Sequence, residues 1–276
     1  MSVIADMFAK ARKIVLKFGS NTLAGGGGRI NNLLLEEYAE QAAVLIKQGK
    51  QIVIVSSGAQ LAGLSAMGKW ERKRDLHYRQ ALCAVGQVKL MDAWERAFLP
   101  LGIHIAQLLL TRDDFADNTR TLNMRNTLFT LVDEGIVPII NENDSVSVEE
   151  IKIGDNDTLA AQSAILWSAD LLVLFSDIDG LYDKNPKENP GAKLVTEVRD
   201  IAALSVNSGG KDGDANGGVG TNGGAGEFGT GGIVTKLEAA RRTVSYGIPM
   251  ILAHGGRKRA LETLASGTGP GTAFLV

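Results

Sequence analysis

Apolar residues in this chain fall into short continuous runs separated by longer stretches with a helical period. The runs Lys13 to Phe18, Gln51 to Val55, His104 to Leu110, Ile136 to Ile140 and Leu171 to Phe175 have the length and β-branched content of buried strands. Between them, Asn32 to Gln48 carries an amphipathic pattern that Gly49 stops. Arg72 to Phe98, Met124 to Glu134, Thr158 to Ala169 and Leu237 to Tyr246 also read as helical, and Met250 to Ala253 and Ala273 to Val276 as late strands. Alternation of strand and helix predicts an α/β fold with a mainly parallel sheet covered by helices. No internal repeat is visible.

At 276 residues the chain suits one α/β unit with two lobes. An apolar share of 45%, 22% charged residues and a formal charge of -2 are those of an ordinary globular protein. The densest charge run, Lys69 to Arg74, reads as a solvated helix face, so a small molecule is expected as partner and nucleic acid is not. The lone Cys83 lies in an apolar helical stretch and reads as a core thiol. His77, His104 and His254 are scattered, without the spacing of a zinc site. The first residues lack a signal peptide's apolar segment and no run is long enough to span a membrane, which sets a cytoplasmic expectation.

Residues 207–232 collapse into Gly, Asn, Asp, Ala and Thr and read as a flexible loop. Within it, Gly218, Gly220 and Gly223 mimic a dinucleotide fingerprint without a preceding strand or a following helix. Asp212, Asp214 and Asn216 open like a calcium loop, but Gly223 stands where a bidentate Glu is needed.

Carboxylates and carboxamides concentrate between Asn141 and Asp157. One cluster follows the strand ending at Ile140 and the other opens the helix from Thr158, the positions at which parallel sheets bind ligands. Asp144, Asn156 and Asp157 are therefore expected to converge on something small, polar and charged. Lys17 emerges at the end of a buried strand, where an ammonium either meets an anion or snorkels to solvent. Gly229 to Lys236 leads into a helix and brings backbone N–H groups, a positive dipole end and a lysine together; it reads as a phosphate site or as an ordinary helix start. It is not a P-loop, because Lys236 follows Thr235 instead of preceding a Ser or Thr. Ser56-Ser57-Gly58-Ala59 follows a strand and fits either a carboxylate-binding turn or a plain strand-to-helix turn. It lacks the glycine-flanked serine and partner histidine of a hydrolase.

Taken in order, these segments resemble the amino acid kinase family along nearly the whole chain. Lys17-Phe18-Gly19-Ser20 matches the family's first phosphate-binding turn, and Ser56-Ser57-Gly58-Ala59 its amino-acid loop. Further matches are Ala84-Val85-Gly86-Gln87, Leu109-Leu110-Thr111, Val137 to Asp144, Lys152 to Asp157, Ser176-Asp177 with Gly180-Leu181-Tyr182, and Thr230-Gly231-Gly232 with Thr235-Lys236. The resemblance implies a three-layer α/β/α sandwich with an amino-acid lobe over residues 1–168 and a nucleotide lobe over 169–276. It implies transfer of the γ-phosphoryl group of ATP, with Mg²⁺, to the side-chain carboxylate of L-glutamate on the route to proline. Sibling kinases acting on N-acetylglutamate, aspartate, carbamate or a nucleotide monophosphate, and a non-catalytic sensor, are the alternatives.

By the same resemblance Asp157 holds the catalytic Lys17 and Lys236. Ser57, Gly58, Ala59, Asn141, Asp144 and Asn156 would bind the amino acid, with Asp144 on its ammonium and the Asn156 amide and the loop backbone on its α-carboxylate. Lys17, Gly19, Ser20, Ser176, Asp177, Tyr182, Thr230, Gly231, Gly232, Ile233, Val234, Thr235 and Lys236 would bind the nucleotide. A homodimer or homotetramer and feedback inhibition by proline are implied as well. The glycine-rich insertion is longer than usual, and Ile233 stands where methionine is common. Many such kinases continue into a C-terminal PUA domain, which this chain is expected to lack. The chemistry agrees: a carboxylate of pKa near ~4.3 is already ionised at neutral pH, so no general base is required. What the transfer requires instead is positive charge around the phosphoryl group.

Overall fold

The computed structural model describes residues 2–68, 75–146, 156–186, 188–202, 204 and 232–276. The elements run α1 (Val3–Lys10), β1 (Lys13–Phe18), α2 (Ser20–Leu23), β2 (Ala24–Gly25), β3 (Arg29–Ile30), α3 (Asn32–Lys47), β4 (Gln51–Ser56), α4 (Ala59–Met67) and α5 (Leu76–Phe98). They continue with β5 (Ile105–Leu110), α6 (Asn118–Asp133), β6 (Val137–Glu142), α7 (Asn156–Trp167), β7 (Leu171–Ser176), β8 (Leu181–Tyr182), β9 (Leu194–Val195) and β10 (Glu197–Val198). The last are α8 (Ile233–Ser245), β11 (Met250–His254), α9 (Ala260–Ser266) and β12 (Thr272–Phe274).

Eight strands form the central sheet in the order β10-β12-β11-β7-β1-β4-β6-β5. Among the described residues of this sheet only β11 and β12 pair antiparallel; its other pairings are parallel. The period of two along each strand sorts the core into two layers. Ile14, Leu16 and Phe18 of β1 face the layer built with α1, α3, α5 and α9, whereas Val15 faces the layer of α6, α7 and α8. Lys17 shares the parity of Val15, and this is what carries its ammonium toward α7 and α8. The mainly parallel, helix-covered sandwich expected from the sequence is thus observed.

Differences from the expected elements have local causes. The helix anticipated from Met124 opens at Asn118, because the Asp117 carboxylate accepts the Arg120 N–H at 2.8 Å and caps it. Unanticipated α1 is capped likewise by Ser2, whose Oγ accepts the Ala5 N–H at 3.2 Å. Unanticipated α4 lies hard against α5: a Cβ on Gly86 would sit 1.7 Å from the Ala59 carbonyl oxygen, and one on Gly63 2.0 Å from that of Leu82. Only glycine permits that approach. The start of the helical stretch expected from Arg72, and all but Gly232 of the loop expected over 207–232, lie outside the described residues.

Candidate active site

The chain passes from β1 to β4, out to the edge strand β5 and back to β6 between them, then crosses to β7 on the other side of β1. That reversal is a topological switch point, and the crevice beyond the carboxyl ends of the strands there is where open α/β sheets take ligands. Lys17, Ser57, Asn141 and Ser176 all stand at those strand ends.

At the centre lies Asp157, fully buried in the first turn of α7. Lys17 donates to its Oδ1 in a short contact, Lys236 donates to Oδ2 at 3.0 Å, and the Thr235 hydroxyl donates to Oδ2 at 3.0 Å. Lys17 and Lys236 are each 6% exposed, so one carboxylate sits between two buried ammonium groups. Burial by itself would raise the Asp157 carboxyl, but Lys17 and Lys236 outweigh it and hold it well below the usual carboxylate range. The described cluster still carries one positive charge more than its acid neutralises, inside a crevice. It is built to receive an anion. Gly19 borders the lysine head: a Cβ there would lie 3.6 Å from the Lys17 Nζ, at ordinary contact distance. Gly232 precedes α8, whose first-turn N–H groups face the same region without a side-chain cap.

The amide-rich end lies alongside. Asn156 Nδ2 donates to Ser57 Oγ at 2.7 Å and to Asn141 Oδ1 at 3.0 Å, while Asn141 Nδ2 donates to Gln87 Oε1 at 2.8 Å. Both Asn156 amide hydrogens are thereby committed within the protein, leaving its Oδ1 buried without a protein partner. This differs from the expected use of that amide as a carboxylate donor. The Ser57 N–H is likewise taken, by the Phe18 carbonyl at 2.9 Å. Gly58 follows in a left-handed conformation, φ 109°, and Ala59 opens α4. The Cys83 thiol donates to Asp144, whose carboxyl is pushed up to about 6 by burial and by neighbouring Glu142, against opposing effects of Cys83 and Arg79.

On the other flank, Asp177 accepts from the Ser176 hydroxyl at 3.0 Å and from Asn21 Nδ2 at 3.3 Å. The Tyr182 hydroxyl donates to Asp179 at 3.2 Å, and Arg257 grips both Asp179 oxygens at 2.7 and 2.8 Å. Ser20 opens the short α2, and Ile233 and Val234 open α8. Thr230 and Gly231 lie outside the described residues. Among the described residues no group of three or more His, Cys, Asp or Glu is assembled to hold a metal ion. No described helix is long and apolar enough to cross a membrane.

Participants in these contacts without an assigned role in the sequence include Gln87, Asn21, Asp179 and Arg257, and Cys83 was read only as a core thiol. Gln87 and Cys83 share the stripe of α5 that also carries Leu90 and Trp94, so a polar residue repeating on an apolar helical face was the available signal. Arg257 follows two glycines after β11 and carries no periodic signal.

Residues 12–254 match the amino acid kinase family. A protein named glutamate 5-kinase from Alkaliphilus metalliredigens is 57% identical over 99% of this chain and 98% of its own length. One of the same name from Alkaliphilus oremlandii is 54% identical over 99% of both. Among solved structures, UMP kinase from Ureaplasma parvum superposes with a TM-score of 0.66 at 17% identity, covering 97% of this chain and 100% of its own, which speaks for the fold alone. With its sheet order, its lysine-flanked aspartate and its end-to-end match to such relatives, this chain belongs to the amino acid kinase family, alongside the glutamate 5-kinases.

Proposed function

We propose that this chain transfers the γ-phosphoryl group of ATP to the side-chain carboxylate of L-glutamate, giving L-glutamyl 5-phosphate, the first step toward proline. The observation that carries the reading is Asp157 held between Lys17 and Lys236 at the switch point of the sheet. The names of the full-length relatives direct that site to glutamate.

In this reading the amino acid lies toward residues 1–168 and the nucleotide toward 169–276. Lys17 and Lys236 neutralise charge on the phosphoryl group as it moves between two oxygens, and Asp157 fixes their heads so that none of this orientation is left to the moment of reaction. Gly19 lies beside the phosphates with its N–H on the Phe175 carbonyl at 3.4 Å, Ser20 and the start of α8 supply backbone donors to them, and Ser176, Asp177 and Tyr182 flank the nucleoside. Mg²⁺ accompanies the triphosphate and shields its charge. This fits a site whose described residues offer lysines and amides, because magnesium is commonly held by substrate phosphates and one or two carboxylates. The acceptor carboxylate arrives ionised, and no side chain has to remove a proton.

Asp144 pairs with the substrate ammonium; an N-acylated substrate would leave that charge without its partner, at a cost of roughly several kcal/mol. Asn156 adds its acceptor oxygen there, and the Ser57 hydroxyl and the N–H groups at the start of α4 meet the α-carboxylate. We further place the enzyme in the cytoplasm as a homodimer or homotetramer, with proline competing at the amino-acid end.

The test is to incubate the purified chain with Mg-ATP and, separately, glutamate, N-acetylglutamate, aspartate, carbamate or UMP. Hydroxylamine traps acyl phosphates, and ADP release reports the remaining acceptors. Glutamate-dependent hydroxamate is expected; turnover with another acceptor alone, or with none, overturns the assignment.

A further inference from the structure

We propose that Gln87 is a positioning residue for the amino acid substrate: it fixes the direction of a hydrogen-bond relay that decides which atom of Asn156 the substrate meets. The inference deepens the functional reading above and rests on it.

The relay crosses the carboxyl-end edge of the sheet. Gln87 stands on α5, in the layer on one face; Asn141 is the penultimate residue of β6; Asn156 begins α7, in the layer on the other face. Asn141 Nδ2 donates to Gln87 Oε1 at 2.8 Å, and Asn156 Nδ2 donates to Asn141 Oδ1 at 3.0 Å and to Ser57 Oγ at 2.7 Å. A primary amide that turns over exchanges a donor for an acceptor, so each link constrains the next. While Gln87 accepts, Asn141 turns its nitrogen to α5 and its oxygen to α7. Asn156 must then give both amide hydrogens to Asn141 and Ser57. Its Oδ1 is left as an acceptor for an ammonium, and Ser57 Oγ, already accepting, has its own proton to donate to a carboxylate. The reversed relay would show the substrate an amide nitrogen and repel the ammonium.

Two further features single out Gln87. It is 8% exposed, and its Nε2 and the Asn156 Oδ1, at opposite ends of the relay, are both buried without a protein partner. A network kept for stability alone would be closed at its ends, because an unmade buried hydrogen bond is costly. The neighbouring Gly86 also lets α5 touch the Ala59 carbonyl, which holds Gln87 at a fixed height against the loop Ser57 to Ala59.

The test compares Gln87→Leu, which deletes the acceptor, with Gln87→Glu, which can only accept and so keeps the direction. Hydroxamate kinetics are run on the full chain with glutamate and ATP varied separately. Gln87→Leu is expected to raise KM for glutamate by about tenfold or more, with KM for ATP within about twofold and kcat within about threefold. Gln87→Glu is expected to return KM for glutamate to within about threefold of the parent. An unchanged KM in Gln87→Leu, a parallel loss for both substrates, or a Gln87→Glu as defective as Gln87→Leu overturns the proposal. Should Gln87→Leu fail to fold, Gln87→Glu decides alone: near-parental KM supports the relay and a tenfold rise, on the order of one lost hydrogen bond, sinks it. Calorimetric glutamate binding separates the two readings. A parent that binds glutamate without making hydroxamate defeats the kinase reading, and the variants' affinities then judge the relay.

Discussion

Asp144 and Asp157 are both withdrawn from solvent at the same edge of the sheet, yet their surroundings drive them in opposite directions. Asp157 has two ammonium groups in direct contact and is held well below the usual carboxylate range despite burial. Asp144 has a thiol, a second carboxylate in Glu142 and the opposing charge of Arg79, and its carboxyl is pushed up to about 6. Position relative to β1 makes the difference. Asp157 lies on the face to which the pleat delivers Lys17, whereas Asp144 follows β6 and meets α5. Asp157 has its cations within the protein; in the proposed function Asp144 takes the substrate ammonium as a further partner.

The comparison breaks most visibly at the lysines. Lys17→Ala and Lys236→Ala should each lower kcat by about 100-fold or more, because the charge they supply acts on the transferring group; steady-state kinetics at saturating substrates measures this. Asp157→Asn should destabilise the fold by about 3–5 kcal/mol, since it leaves two buried ammonium groups uncompensated, and urea denaturation followed by circular dichroism reads it. Its stabilising contribution, from a depressed pKa, is present above the ordinary carboxylate range and is lost as pH falls below that range through the depressed folded value.

Asp144 has the opposite sign. Its folded pKa lies near 6, above the ordinary 3.8, so the folded state holds the proton more tightly and stability from this group declines as pH rises through that window. In the proposed function glutamate, by contrast, pairs with the ionised form. Its KM should therefore fall as pH rises from 5 toward 7, by about tenfold, and binding near pH 5.5 should release a proton detectable by calorimetry in buffers of different ionisation enthalpy. The smallest effect is expected at Lys10→Ala. The Lys10–Asp6 pair at 2.7 Å is exposed on both sides, and its loss should change stability by about 0–1 kcal/mol with no change in turnover.

Much of this arrangement was legible in the chain. Continuous aliphatic runs reported the parallel strands, because strands buried on both faces do not alternate, and polar residues at the ends of those runs reported the crevice. Lys17, Asp157 and Lys236 meet, as the family resemblance implied; the charge pattern by itself placed each at the border of an apolar element without pairing them. The use of the amides was not legible. Asn156 reads equally as donor or acceptor until its partners Ser57 and Asn141 are placed, and those come from remote parts of the chain. Gln87 and Cys83 looked like passengers on a helix because their partners, Asn141 and Asp144, are close only after folding. The short helices α1 and α4 escaped notice because their caps are single residues without a long periodic stretch behind them.

The division of labour between the two acids is tested most directly by assaying Asp144→Asn and Lys236→Ala side by side with glutamate raised to saturation. Asp144→Asn should then recover kcat to within about fivefold of the parent, while Lys236→Ala remains depressed by about 100-fold at any glutamate concentration. Recovery of Lys236→Ala by added glutamate, or a saturated Asp144→Asn as slow as the lysine variant, would contradict the account.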